Sequence, residues 1–247
     1  FKLLPLPATR AAVVGLFPDL AGAADVVRRT LESVLLPEAL DLLDAGAVTL
    51  AAPRLGLEAP AGSCGLAVAV AGSPETVERQ VRDFAALFRE AGGRATPLPD
   101  GRSVLAWDTI RNLLGLLPAP PAVRVLCKIA VPIGRTSDLF ASAAALGRRR
   151  GLPVTVTAHA GSGIVWACYL LGPEAPSDEA LADALEGLRH EAEAAEGSLI
   201  LYDAPASLKG RMDAWGKPRD GFGVMTRLKA EFDPRGLCNP GRFLGGL

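Results

Sequence analysis

One order of elements, strand, helix, strand, strand, helix, strand, can be read twice along this chain, and that repetition most constrains its fold. Residues 11–17 form an apolar run stopped by Pro18, and Asp19 suits the N-cap of a helix carrying Val26, Val27, Leu31 and Val34. Beyond the break at Pro37, the short apolar segment 47–51 supplies the second strand of the pattern, and 66–70 reads as a buried third strand. Ser73-Pro74 opens a helix with Val77, Val81, Phe84, Leu87 and Phe88 on one face; Gly92-Gly93 ends it, and 95–98 adds the last strand. The second pass places a strand at 123–131, a helix at 137–149, a hairpin from 153–159 and 163–171, a helix at 177–195 and a strand at 198–202. A βαββαβ unit carries both helices on one face of its sheet. The expected fold class is therefore α+β, with duplicated βαββαβ (ferredoxin-like) units and a mainly antiparallel sheet. The units stand either as two separate halves or as one long sheet formed by their union. Residues 1–100 make the first half, 101–122 a connection or site loop rich in Pro, Gly and polar residues, and 123–203 the second half. A helical appendix with Val224, Leu228 and Phe232 along one face fills 204–247 together with the tail.

Composition narrows the function. With 247 residues, 49% hydrophobic, the chain can bury one large core or two modest ones. A net charge of -1 and scattered arginines offer no basic field for nucleic acid, and the run Arg148, Arg149, Arg150 reads as a solvated helix end. Every apolar stretch is broken before the ~20 residues that a membrane span needs, so no membrane insertion is expected. Cys64, Cys127, Cys168 and Cys238 are far apart with no Cys-x-x-Cys pair, which gives neither a zinc ribbon nor a local iron–sulfur ligand set. Buried, reduced thiols and a cytoplasmic setting are the expectation.

His159, one of two histidines, lies between two predicted strands, where a hairpin mouth can present it to a cleft. It reads either as a turn histidine bonded to backbone or as a substrate-facing acid or base. Lys128 interrupts the apolar run Val125-Leu126-Cys127-Lys128-Ile129, and alternation puts it on the face opposite Cys127 and Ile129, toward either solvent or a site. Arg111 stands four residues after Trp107; it is either paired on the helix surface with Asp108 or free to grip a carboxylate bidentately. His190 sits on a charged helix and is expected to be solvated. In the last residues, Pro234 and Pro240 fix φ while Leu237, Phe243 and Leu244 are spaced among turn formers, so this tail is expected to be stiff and docked.

The tail string Phe-Asp-Pro-Arg-Gly-Leu-Cys-Asn-Pro-Gly-Arg-Phe, residues 232–243, resembles the closing motif of the FAD-linked oxidases of the vanillyl-alcohol oxidase and D-lactate dehydrogenase type. The Trp107-to-Arg111 spacing, the Ala204-Pro205 turn after a strand and Asp213-Ala214-Trp215-Gly216 look like the FAD-binding E-subunit branch, that of glycolate oxidase. The resemblance covers the C-terminal, substrate or cap portion of that family. It implies an N-terminal flavin-binding domain upstream of Phe1 that binds most of the FAD, since no glycine-rich pyrophosphate loop is visible in this chain. It implies oxidation of a small 2-hydroxy acid such as glycolate or D-lactate, with Arg111 and Lys128 orienting the carboxylate and His159 near the reacting hydroxyl. It also implies Asn239 and Arg242 holding the tail against the flavin domain. Companion flavoprotein and iron–sulfur subunits would carry electrons away and hold the protein at the periphery of the inner membrane. Relatives carry His-x-Gly-Asp-Gly-Asn-x-His at the hairpin, and here His159, Gly161 and Gly163 match. Ser162, Ile164 and Trp166 replace the Asp, the Asn and the second His, so no metal is expected. The same losses support the alternative, a domain of a noncatalytic assembly subunit in a flavoprotein complex.

Overall fold

The computed structural model describes residues 6–117, 123–218 and 220–247. The first half contributes β1 (Thr9–Phe17), α1 (Leu20–Leu31), β2 (Ala39–Leu43), α2 (Ala45–Leu55), β3 (Cys64–Gly72), α3 (Pro74–Glu90) and β4 (Arg94–Leu98). After α4 (Asp100–Arg111) the second half follows with β5 (Val123–Ala130), α5 (Thr136–Arg149), β6 (Val154–His159), β7 (Ile164–Leu171), α6 (Asp178–Ala194) and β8 (Ser198–Asp203). The short α7 (Ala206–Lys209) and α8 (Phe222–Phe232) form the appendix.

Among the described residues the strands form one antiparallel sheet, ordered β4-β1-β3-β2-β6-β7-β5-β8. Within each half the order is that of a ferredoxin-like unit, and the halves join edge to edge, so the union holds and not two separate sheets. The seam is β2 against β6, with Asp41 opposite His159, Leu42 opposite Ala158 and Leu43 opposite Thr157. Backbone bonds from Asp44 N–H to the Val156 carbonyl and from Ala160 N–H to the Leu40 carbonyl extend it. Pro97 is accommodated because β4 pairs only with β1 and lies at the sheet's edge.

Helices α1, α3, α5 and α6 cover one face of the whole sheet. Their core takes the odd-numbered residues of β5, Val125, Cys127 and Ile129, and Phe17, Phe84, Phe88 and Phe140 from elsewhere. Each such aromatic contributes about 2 to 3 kcal/mol by leaving water. On the other face, α2 and α4 cover the first half, over Ala12, Val14, Leu43 and Ala67, and α2 also packs against β6 of the second half.

Two sequence expectations change. Residues 47–51 are helical, inside α2, and the strand precedes them at β2. The Asp44 side chain accepts the Ala47 N–H at 2.8 Å as an N-cap, and Ala47, Val48, Ala51, Ala52 and Leu55 return to one face every three or four residues, until Gly56 turns left-handed at φ +62. The connection is also more ordered than a loop: α4 fills much of 101–122 and buries Ala106 and Ile110 on the second core, while 118–122 lie outside the described residues. The cysteines are all free; Cys127 and Cys168 are buried, Cys64 is half-buried, and Cys238 of the tail is exposed.

Candidate active site

α2 crosses the seam onto β6 and sets Leu50 against Leu126 and Cys168, and beyond it the second face of β5, β7 and β8 is left largely open among the described residues. Strand alternation puts Lys128, Leu126 and Arg124 of β5, Trp166 and Cys168 of β7, and Thr157 and His159 of β6 on this face. The turn after α4 forms a wall through Gly115 and Leu117, leaving a cleft of about 410 Å³ between wall and sheet.

His159 stands at the seam and lines this cleft. Its Nδ1 lies 2.9 Å from Asp41 Oδ1, and Asp41 is 4% exposed. The Asp41 carboxylate accepts from Nδ1–H, which leaves Nε2 available to a ligand. That hydrogen bond is the main cause raising the His159 pKa above its ordinary value; partial burial opposes it, the Asp41 charge adds to it, and the Lys128 charge opposes it. Lys128 is half-buried, its ammonium 5.5 Å from the centroid of the Trp166 ring. Trp166 in turn packs edge to face on Tyr202, with centroids 5.1 Å apart. Arg124 Nε donates to Asp203 Oδ2 at 3.0 Å.

The structure thus brings His159 and Lys128 to one face and Arg111 to its wall. Arg111, however, donates to Asp108 Oδ1 at 2.7 Å in an exposed i,i+3 pair. Asn239 and Arg242 are not brought there. They line another cleft, of about 530 Å³, with Met225, Leu228 and Phe243 of the appendix and tail. The residue missed from sequence is Asp41, whose signal was one carboxylate within the apolar run Ala39-Leu40-Asp41-Leu42-Leu43. Among the described residues no group of three or more His, Cys, Asp or Glu side chains could hold a metal ion. No described helix is long and apolar enough to cross a membrane.

The Asp-x-Trp-Gly element proves to be a clasp. Asp213 Oδ1 accepts the N–H groups of Trp215 and Gly216 at 2.7 and 2.9 Å. Buried Arg189 holds the Asp213 carbonyl at 2.6 Å and the Leu199 carbonyl at 3.2 Å. Trp215 Nε1–H donates to the Arg242 carbonyl at 3.0 Å, and its ring meets Phe243 at 4.7 Å, so the tail folds back on the appendix. Asp233 adds a second hold: it accepts from Lys229 and from the N–H groups of Leu237 and Cys238, which draws its carboxyl down to about 2. The tail's apolar side chains stay outside the core; Phe232, Leu237 and Phe243 are all exposed.

The family described as FAD linked oxidases, C-terminal domain, matches residues 6–243. This chain belongs to that family. Glycolate oxidase subunit GlcD of Bacillus subtilis (strain 168) is 23% identical over 98% of the chain and 52% of its own length. Among solved structures, 4-ethylphenol oxidase from Gulosibacter chungangensis in its isoeugenol complex is 15% identical, covering 98% of this chain and 55% of that one with a TM-score of 0.63. A p-cresol methylhydroxylase with substrate bound is 16% identical over 98% and 54%, with a TM-score of 0.60. At these identities the solved structures establish the shared fold. The chain spans about half the length of the relatives it matches. The Bacillus relative is a GlcD protein, whereas the Asp-x-Trp-Gly element and the Trp-to-Arg spacing read as resembling the E branch.

Proposed function

We propose that this chain is the substrate-side cap of an FAD-dependent oxidoreductase that oxidises a 2-hydroxy acid, with the largely open half of the sheet facing the flavin. The observation that carries the reading is the buried-carboxylate pair His159–Asp41, lining a cleft on the same sheet face as Lys128. Those residues fit a site beneath the ring end of FAD: the open face would leave room for a substrate between sheet and ring, and the half-buried Lys128 suits negative charge there. When bound, FAD would accept the hydride from the carbon bearing the hydroxyl. His159 Nε2 takes the hydroxyl proton as the carbonyl forms, and Asp41 holds the ring and stabilises its charged form. Lys128 attracts the carboxylate, and Arg111 joins it after leaving Asp108. Asn239 and Arg242 hold the tail against a flavin-binding domain, and companion subunits receive the electrons.

The test uses the full-length protein loaded with FAD. Anaerobic addition of 2-hydroxy acids should bleach the flavin, and His159→Gln should slow bleaching by about 10²- to 10⁴-fold. Absence of bleaching with any acid would instead support a noncatalytic assembly domain, a role consistent with the Arg111–Asp108 pairing.

A further inference from the structure

The cleft is long, and its chemistry changes along its length. Pairing registers order the open face into rows. His159 pairs with Ile164 in one row; Thr157, Trp166 and Lys128 share the next; Thr155, Cys168 and Leu126 share the one after. Two rows are four residues, about 13 Å along a strand. The acid–base pair lies at the His159 row and Lys128 at the next, while Arg124, neutralised by Asp203, closes the far end past Leu126. Between them Leu126 and Cys168 pack with Leu117 in a separate apolar cluster, with Leu50 of α2, Trp166 and Leu170 against it. The Cys168 thiol adds no charge there, because burial pushes its pKa up to about 11. Ile110 lines the same cleft from the wall. A two- or three-carbon acid would occupy only the polar end. A cleft of about 410 Å³ falls instead within the ~300 to 1,000 Å³ typical of sites for larger ligands.

We infer that the acid taken here carries a long or aromatic apolar substituent, which lies along Trp166 toward Leu126, Cys168 and Leu117 while its carboxylate and hydroxyl stay near Lys128 and His159. This rests on the 2-hydroxy-acid reading above and sharpens it. Burying such a substituent against these apolar side chains discriminates by about 10- to 200-fold for one missing methylene.

Gly115 gives a clean probe. It lines the cleft, and a Cβ built on it meets nothing within 4 Å, so a side chain can be added without a backbone clash. The full-length FAD-loaded enzyme is assayed with glycolate, lactate, mandelate and 2-hydroxyoctanoate. The kcat/KM for mandelate or 2-hydroxyoctanoate should exceed that for lactate by about tenfold or more, and Gly115→Phe should cut that ratio by about tenfold or more. Gly115→Ala, a smaller intrusion, should cut it less and serves if the Phe variant fails to fold. Lactate or glycolate turning over as well as the larger acids overturns the inference while leaving the 2-hydroxy-acid reading in place. Loss of FAD from Gly115→Phe also overturns it, by giving the cleft to the cofactor. Failure of every acid to bleach the flavin overturns both.

Discussion

His159 Nδ1 and Asp41 Oδ1 lie 2.9 Å apart although 118 residues separate them, each supplied by the edge strand of a different half. Neither half alone contains the pair, so the candidate acid–base group exists only after the halves join.

Asp41→Asn should lower the His159 pKa, because the hydrogen bond to Asp41 is the main influence raising it. The pair's stability contribution is present below the ordinary histidine value of ~6.5 and is lost as pH rises through the raised folded value. The His159 side chain is 44% exposed, so solvent keeps this contribution small. With only two histidines in the chain, ring NMR titration can read the change, and a His159 pKa unmoved by Asp41→Asn would count against the pairing.

Asp44 behaves in the opposite structural sense. Burial pushes its carboxyl from 3.8 up to about 6, against the backbone N–H bonds that favour the charge. Its favourable contribution is present below 3.8 and disappears as pH rises through about 6, where ionising the buried group costs at most about 3 kcal/mol. Asp44→Asn keeps an N-cap acceptor for α2. The variant should melt higher than wild type at pH 8 and near it at pH 4, as followed by circular dichroism.

The two glycines after His159 should respond differently to alanine. Gly163 has φ +73, and a Cβ there would run into the Val131 carbonyl oxygen, while Gly161 would meet only Leu40 Cβ at 4.0 Å. Gly163→Ala should cost about 3 kcal/mol or more and Gly161→Ala about 1 kcal/mol or less in urea unfolding. Equal losses would remove the backbone explanation for Gly163.

The appendix should loosen in two separable ways. Trp215→Leu removes the donor to the Arg242 carbonyl and the edge contact with Phe243, so trypsin should cut the tail several times faster while global melting barely moves. Arg189→Met strips donors from the Leu199 and Asp213 carbonyls and should destabilise the fold by about 2 to 4 kcal/mol, seen as a lower urea midpoint.

The sequence by itself determined the alternation of strands and helices, the duplication of the unit and the placement of Lys128 opposite Cys127, because these follow from local periodicity and capping. It also carried the tail and hairpin residues that resemble the family now matched over residues 6–243. It misled at 47–51, where Val48 and Thr49 suit a strand but the Asp44 cap starts a helix whose apolar residues return every three or four positions. Only the tertiary structure decided that β2 meets β6, that Asp41 thereby reaches His159, and that α2 and α4 cover the first half of that face while α2 alone crosses onto the second. Edge-strand pairing and helix coverage are long-range choices, set by which apolar faces can be buried together once the whole chain collapses. No window of sequence contains both partners.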